Sequence, residues 1–303
     1  MNQANQSSLF SSVDNIIRPA WEIASYESLW EKYPTVKKIA DLFRQHDYKL
    51  PSQVAKFVGI LDEQVEILKR EINELFAFKC YSAIFHGDFN YPEKLRQAEH
   101  PSEIVYYQGD LDLIYSNIVS VVGARKATPE GIKRSKKIAK LLAKNNFTVM
   151  SGLAEGIDTA AHTETIESGG KTVAVLGTPL NEFYPKANKD LQKRIAEDHL
   201  LLSQVPFYMS SKKSNWKLKP LFFPERNITM SALSLATIIV EASDTSGSLI
   251  QARAAINQNR KLFILKSCFD KGLLWPEKYL KKGAIKVSDE HELIDVMGNL
   301  SKN

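Results

Sequence analysis

The residues with the clearest capacity for chemistry lie at one corner, where Phe147 through His162 reads F-T-V-M-S-G-L-A-E-G-I-D-T-A-A-H. A short apolar run closes on Ser151 and Gly152, and Gly156 and Asp158 follow at the mouth of a helical pattern. Small residues at a strand-to-helix corner let backbone N–H groups approach an anion closely. The ligand such a corner suits is a nucleotide, a dinucleotide cofactor or a nucleic-acid backbone. Similar groups of small, polar and basic residues recur at Gly123-Ala124-Arg125-Lys126, Gly177-Thr178-Pro179, Ser203-Gln204 and Glu241 through Ser248, each just after an apolar run.

Those runs imply the elements that position the site. Residues 118–122, 147–150, 172–176, 200–202, 237–240 and 262–265 are short and apolar, and most are separated by helical patterns at 129–143, 158–167, 189–196 and 249–257. Strands alternating with helices predict an α/β fold, Rossmann-like and extended, with a mostly parallel sheet and helices on both faces. In such sheets ligands bind beyond the carboxyl ends of the strands, where the small and basic residues fall. The N-terminal part is helical in pattern, with Val36, Ile39, Ala40 and Phe43 in one stretch and Val65, Leu68, Ile72 and Leu75 in another. The expected organisation is a small helical module over 1–82, without chemistry of its own, followed by the α/β core over 83–303.

The bulk properties narrow the class. A chain of 303 residues buries an ample core, and its net charge of +5 is compatible with a polyanionic partner without requiring one. Only Cys80 and Cys268 could form disulfides or bind soft metals, which argues against a disulfide framework or a zinc site and for a reducing, cytoplasmic setting. No stretch has the length and apolarity of a membrane span, and residues 1–15 are too polar for a signal peptide.

The common nucleotide motifs are missing. The first strand ends in a single glycine, Gly123, rather than G-x-G-x-x-G, and the second ends in Ser151-Gly152 where a ribose-binding acid belongs. No P-loop, H-E-x-x-H or G-x-S-x-G occurs, so neither a cofactor nor a catalytic centre is expected. What remains is cationic. Residues 124–148 hold eight Lys or Arg against one acid, Glu130. The helix lysines read as a solvated face, whereas Arg125 sits one residue from a strand-end glycine, where a guanidinium could hold a phosphate. A second cluster from Phe207 to Arg226 alternates Lys212, Lys213, Lys217 and Lys219 with Tyr208, Trp216, Phe222 and Phe223. It reads equally as a single-strand stacking track or as a long loop with an apolar anchor.

In ordered blocks the sequence resembles the DNA-processing protein A family, also called DprA or Smf. The blocks are Tyr91-Pro92-Glu93-Lys94-Leu95, Val121-Val122-Gly123-Ala124-Arg125, Ser151 to His162, Gly169 to Val175, Tyr184-Pro185-Lys186-Ala187-Asn188, Phe223-Pro224-Glu225-Arg226-Asn227, Val240-Glu241-Ala242, Ser246-Gly247-Ser248-Leu249 and Gly283-Ala284. The resemblance implies a homodimeric mediator that binds single-stranded DNA and loads the RecA recombinase during natural transformation, without catalysis. It implies phosphate ligands at Arg125 and Lys186, aided by Lys126, and close-approach backbone at Gly123, Gly152 and Ser246-Gly247-Ser248. Ser151, Gly156, Asn188, Arg226 and Asn227 join the expected site by position, while Asp158 is expected to order the corner.

The sequence also departs from the family. Ile228 replaces a second arginine, Glu155 stands where a base is common, Gln251 replaces threonine, and Ile264-Leu265-Lys266-Ser267 occupies the place of a Pro-Gly turn. Lost cations weaken phosphate binding and flatten its salt dependence. Two alternatives therefore stand beside DNA binding: a nucleotide-sensing or partner-binding module, and a phosphoribohydrolase acting on nucleoside monophosphates. The turn Asp244 to Ala252 disfavours the second, since it lacks paired glycines and a following Glu.

Overall fold

A computed structural model describes residues 18–79, 81–207 and 220–298. Four helices come first: α1 (Pro19–Lys32), α2 (Val36–Gln45), α3 (Pro51–Phe57) and α4 (Asp62–Lys79). The spacing of Ile39, Ala40, Leu42 and Phe43 gives α2 one buried face, and Thr35 caps it by accepting the Lys38 N–H at 3.3 Å. The Leu50-Pro51-Ser52 turn opens α3, with proline in the first helical turn, where its missing N–H is harmless.

The helices share their core with the sheet that follows. Tyr26, Trp30 and Phe43 belong to one apolar cluster with Tyr106, Leu201, Phe207 and Phe222. The Trp30 and Phe222 rings lie 5.7 Å apart, and buried Glu27 accepts the Tyr106 hydroxyl at 2.5 Å and the Phe207 N–H at 2.9 Å.

Nine strands form one sheet among the described residues, in the order β1-β2-β6-β5-β4-β3-β7-β8-β9. They are β1 (Ser82–Phe85), β2 (Ile104–Gly109), β3 (Ile118–Gly123), β4 (Thr148–Ser151), β5 (Thr172–Leu176), β6 (Leu200–Ser203), β7 (Ala236–Glu241), β8 (Lys261–Leu265) and β9 (Ile285–Val287). Strands β3 to β9 pair in parallel, and β2 joins β6 antiparallel, followed by β1. Helices α5 (Pro129–Lys144), α6 (Ile157–Glu167) and α7 (Lys189–Asp198) connect the first parallel strands. Beyond β6 come α8 (Phe222–Leu233), α9 (Ser248–Asn257), α10 (Lys266–Phe269), α11 (Trp275–Leu280) and α12 (Glu290–Gly298).

Alternation along the strands feeds two cores. Val119, Val121, Ile238 and Val240 pack with Ile138, Leu142 and Ile157 on one face, while Ile118, Val122 and Ile239 pack with Met230, Leu233 and Ala252 on the other. Both faces are covered, which is why these strands read as continuous apolar runs. The expected α/β architecture with its mostly parallel sheet is therefore present. From β3 the chain winds outward through β4, β5 and β6, then returns to start β7 on the opposite side of β3. Consecutive connections leave β3 and β7 in opposite directions, and a crevice opens beyond their carboxyl ends. Among the described residues no helix is long and apolar enough to cross a membrane.

Candidate functional site

A cavity of about 580 Å³ fills that crevice, lined by Gly123 to Lys126 after β3, Glu241 to Ser243 after β7, and the first turn of α9. Helix α8 supplies another wall through Phe223, Arg226 and Asn227, and Lys271 and Leu273 border it from the segment after α10. The two strand ends are stitched together where the Ala124 N–H donates to the Glu241 carbonyl at 2.8 Å.

The Ser151-Gly152 corner lies behind this cavity as a scaffold. The Gly152 and Ala154 N–H groups donate to the Asp158 carboxylate at 3.2 and 3.4 Å, so the anion this corner holds is its own. The Ser151 hydroxyl donates to the Val121 carbonyl at 2.7 Å and fastens β4 to β3. Gly156 turns into α6 at φ 79°, a left-handed conformation that favours glycine. It lies against the carbonyls of Ala124 and Arg125, and thereby braces the loop that carries Arg125.

Arg226 forms the floor. It is buried, and its guanidinium donates to the Gly152 carbonyl, to the Val175 carbonyl at 2.8 Å and to Asn227 Oδ1 at 2.9 Å. Gly152 has no side chain because this guanidinium occupies the space a β-carbon would need. Burial, partly offset by the charge of Asp158, lowers the Arg226 pKa to about 10, so it stays protonated at neutral pH. Burial also pushes the Asp158 carboxyl upward, against the pull of Arg226 and the corner N–H groups. The two opposite charges answer one another beneath the cavity.

The exposed cations stand on the rim. Arg125 lies over the Phe223 ring, 5.4 Å from its centroid, with Lys126 beside it. The Tyr184 ring lies 5.4 Å from that of Phe223 and is 48% exposed, so the aromatic surface continues past the cavity mouth. On the far side Lys271 pairs with Glu241 at 3.5 Å. Burial pushes the Glu241 carboxyl up, but Thr128 and Lys271 outweigh it and hold it below the usual carboxylate range. Thr128 gives that carboxylate its hydroxyl at 2.7 Å and its N–H at 3.2 Å while also capping α5.

The structure thus divides the expected site residues into two groups. Gly123, Arg125, Lys126, Arg226, Asn227, Ser246, Gly247 and Ser248 line the cavity. Ser151, Gly152, Gly156, Lys186 and Asn188 do not. The expected close approach of a ligand to Gly152 is corrected, because Arg226 fills that space. Asn188 is buried, with its amide donating to the Leu153 carbonyl at 2.9 Å and to Thr159 Oγ1 at 2.8 Å. Lys186 is exposed, two residues beyond Tyr184. Asn227 links Arg226 to the serine turn by donating to the Gly247 carbonyl at 3.0 Å.

The departures from the family also find their places. Ile228 packs with Ala98, Ala232 and Ala254 and does not line the cavity, so the arginine expected there is not missing from the cavity wall. Glu155 is exposed and likewise outside the lining, whereas Gln251 is buried and within it. Lys212, Lys213, Lys217, Lys219, Tyr208 and Trp216 lie outside the described residues. Lys271 is the cation that sequence reasoning overlooked; following the chain past the carboxyl end of β8 would have reached it.

A doubly wound sheet with cations and aromatic rings around a cavity at its switch point defines a Rossmann-like α/β protein. The model of the DNA recombination-mediator protein A family matches residues 82–298, and the chain belongs to that family. It is 40% identical over 183 residues to the DNA processing protein DprA of Streptococcus pneumoniae, covering 60% of this chain and 62% of the relative. The DprA of Bacillus subtilis is 32% identical over 196 residues, covering 64% of each chain. The chain thus spans less than two thirds of the length of these curated relatives.

Among solved structures, the X-ray structure of DprA from Streptococcus pneumoniae aligns with a TM-score of 0.65 at 30% identity, covering 91% of this chain and 92% of the other. DNA processing protein A from Helicobacter pylori, whose structure concerns its single-stranded DNA binding mode, aligns with a TM-score of 0.60 at 27% identity, covering 72% of this chain and 96% of the other.

Proposed function

We propose that the chain binds single-stranded DNA across this cavity and acts, as a homodimer, as a recombination mediator that loads RecA on incoming strands during natural transformation. The observation that carries the DNA-binding step is the pairing of Arg125 with Phe223 on the cavity rim, between Tyr184 on one side and Lys271 on the other. Exposed cations follow a phosphate backbone while ring faces accept bases of any sequence. The Helicobacter pylori relative supports the same reading. The RecA step, the dimer and the pathway rest on family membership.

We read the site as binding rather than catalytic. Asp158 and Glu241, the carboxylates among its lining residues, are engaged by the corner N–H groups and by Thr128 and Lys271 respectively. A nucleotide-sensing role has one observation in its favour, a cavity of about 580 Å³, well within the range that encloses small ligands. Fluorescence anisotropy with labelled single strands and duplexes over a salt series separates the two. The expected result is single-strand binding whose logarithm falls linearly with log salt, with Arg125→Ala shallower by about 0.7 in slope. Competition by a mononucleotide at equal phosphate concentration, with no salt-dependent strand binding, would decide for the sensor.

A further inference from the structure

A second cavity, of about 240 Å³, opens on the α5 face of the sheet, beyond the carboxyl ends of β8 and β9 and beside α12. It shares no lining residue with the crevice. Ile138, Leu265, Val287 and Leu293 form its floor, and all four are buried, so the cavity is apolar at depth. Its rim is cationic, with Arg134, Lys137 and Lys266. Lys266 is exposed and Arg134 half-buried, and neither side chain has a hydrogen-bond or ion-pair partner among the described residues. Lys266 and Ser267 stand where the family has a Pro-Gly turn, so this departure places a cation and a hydroxyl at the cavity mouth.

Asp289 also lines the cavity, but its carboxylate is engaged. It accepts the Glu292 N–H at 3.0 Å, while Glu292 accepts the Ser288 N–H at 2.9 Å, a reciprocal cap on the start of α12. Arg134 and Lys266 are left to meet a ligand. The lining offers no aromatic ring on which a base stacks, and the volume lies below the about 300–1,000 Å³ typical of small-molecule sites. One aliphatic side chain suits it, and carboxylates on either side of that chain reach the guanidinium and the ammonium. We propose that this cavity docks an acidic peptide segment of a partner protein, anchored by one leucine-like side chain. The site goes beyond strand binding: separate from the crevice, it holds such a partner while DNA is bound.

The probe is a dye-labelled peptide, Asp-Asp-Leu-Asp-Asp, with Asp-Asp-Ser-Asp-Asp and Asn-Asn-Leu-Asn-Asn as comparators, followed by fluorescence anisotropy on the full chain at low salt. Wild-type protein is expected to bind the leucine peptide about tenfold more tightly than the serine peptide, and about fivefold more tightly than the asparagine peptide. Lys266→Glu and Arg134→Glu are each expected to weaken the leucine peptide by about fivefold and to leave any oligothymidylate binding unchanged. Circular dichroism checks that each variant folds, and the exposed Lys266 keeps the test open if Arg134→Glu does not. Equal wild-type affinity for the leucine and serine peptides overturns the proposal, as does wild-type affinity in folded Lys266→Glu, or no saturation by about 1 mM peptide. Displacement of the peptide by oligothymidylate, or a matching loss of oligothymidylate affinity in the variants, assigns these cations to the strand and overturns it too. Failure of the chain to bind any strand rejects the single-strand reading alone, because the peptide arms do not depend on it.

Discussion

Whether Arg226 is a ligand for DNA or a part of the fold can be decided by replacing it with methionine. The side chain is buried, its Nη1 serves the carbonyls of Gly152 and Val175, and it supplies the charge that faces buried Asp158. Arg226→Met leaves two buried carbonyls short of a donor and Asp158 without its counter-charge. Losing the charged donor of two buried hydrogen bonds costs about 1.5–3 kcal/mol for each, a large share of the roughly 5–15 kcal/mol that keeps a domain folded. Urea unfolding followed by circular dichroism should therefore show a loss of that size. Adding Asp158→Asn to the variant should return about 1–3 kcal/mol, because the carboxamide still accepts the Gly152 and Ala154 N–H groups and carries no charge to bury. The reasoning is refuted if Arg226→Met loses less than about 1 kcal/mol while single-strand binding drops and its salt slope becomes shallower by about 0.7. That outcome would make Arg226 a phosphate ligand.

Two further outcomes follow from buried groups away from the cavity. His162 is completely buried, and burial lowers its pKa from 6.5 to about 3. The unfolded chain therefore takes up a proton near pH 6.5 that the folded chain refuses, so stability falls as pH drops toward 3, by up to about 1.4 kcal/mol per pH unit. Burial lowers His199 as well, which adds a slope of the same sign. Unfolding free energies of wild type and His162→Gln should diverge between about pH 6.5 and 5, with wild type losing more as pH falls; parallel profiles reject the assignment. In the second case, Tyr106→Phe removes the hydroxyl that Glu27 accepts at 2.5 Å between α1 and the sheet. The expected cost is about 1.5–3 kcal/mol, measured by urea unfolding and by faster hydrogen exchange in α1; a change below about 0.5 kcal/mol would show that this bond does not couple the helices to the sheet.

The central strands were readable because each is buried on both faces and bounded by turn residues. The run 172–176 coincides with β5, and 118–122 falls one residue short of β3. Strands β1 and β2 were not recognised: they pair antiparallel at the sheet edge, outside the strand-helix rhythm that identified the others. The helical module could be read as helices but not as part of a shared core, since Trp30 meets Phe222 across 192 positions of sequence that no local period connects. Arg125 was identifiable because its neighbour is a strand-end glycine. The role of Arg226 was hidden, because the space it needs is provided by Gly152, whose absent side chain reads from sequence as room for a ligand. The importance of Lys271 was hidden in the same way by its distance from Glu241.

The distribution of charge around the cavity explains why so many polar residues converge on a site with so few free cations. A phosphate site needs positive charge at the surface and rigid backbone beneath it. Arg226 and Asp158 provide the second: together they add no net charge, but they fix the Gly152 corner, the end of β5 and, through Asn227, the serine turn before α9. The Glu241 carboxylate does the same for the other wall, holding the Thr128 end of α5 while it restrains Lys271. Arg125, Lys126 and Lys271 are left to meet solvent, and exposed cations are those whose contact with phosphate releases counterions. Substituting the buried pair should therefore change stability far more than salt dependence, and substituting the rim cations should do the reverse. On this division of roles, Glu155 and Ile228 remove little from the site, because neither lines the cavity. The departure that lies in the cavity wall is Gln251, buried there with its Nε2 donating to Thr237 Oγ1 at 3.2 Å.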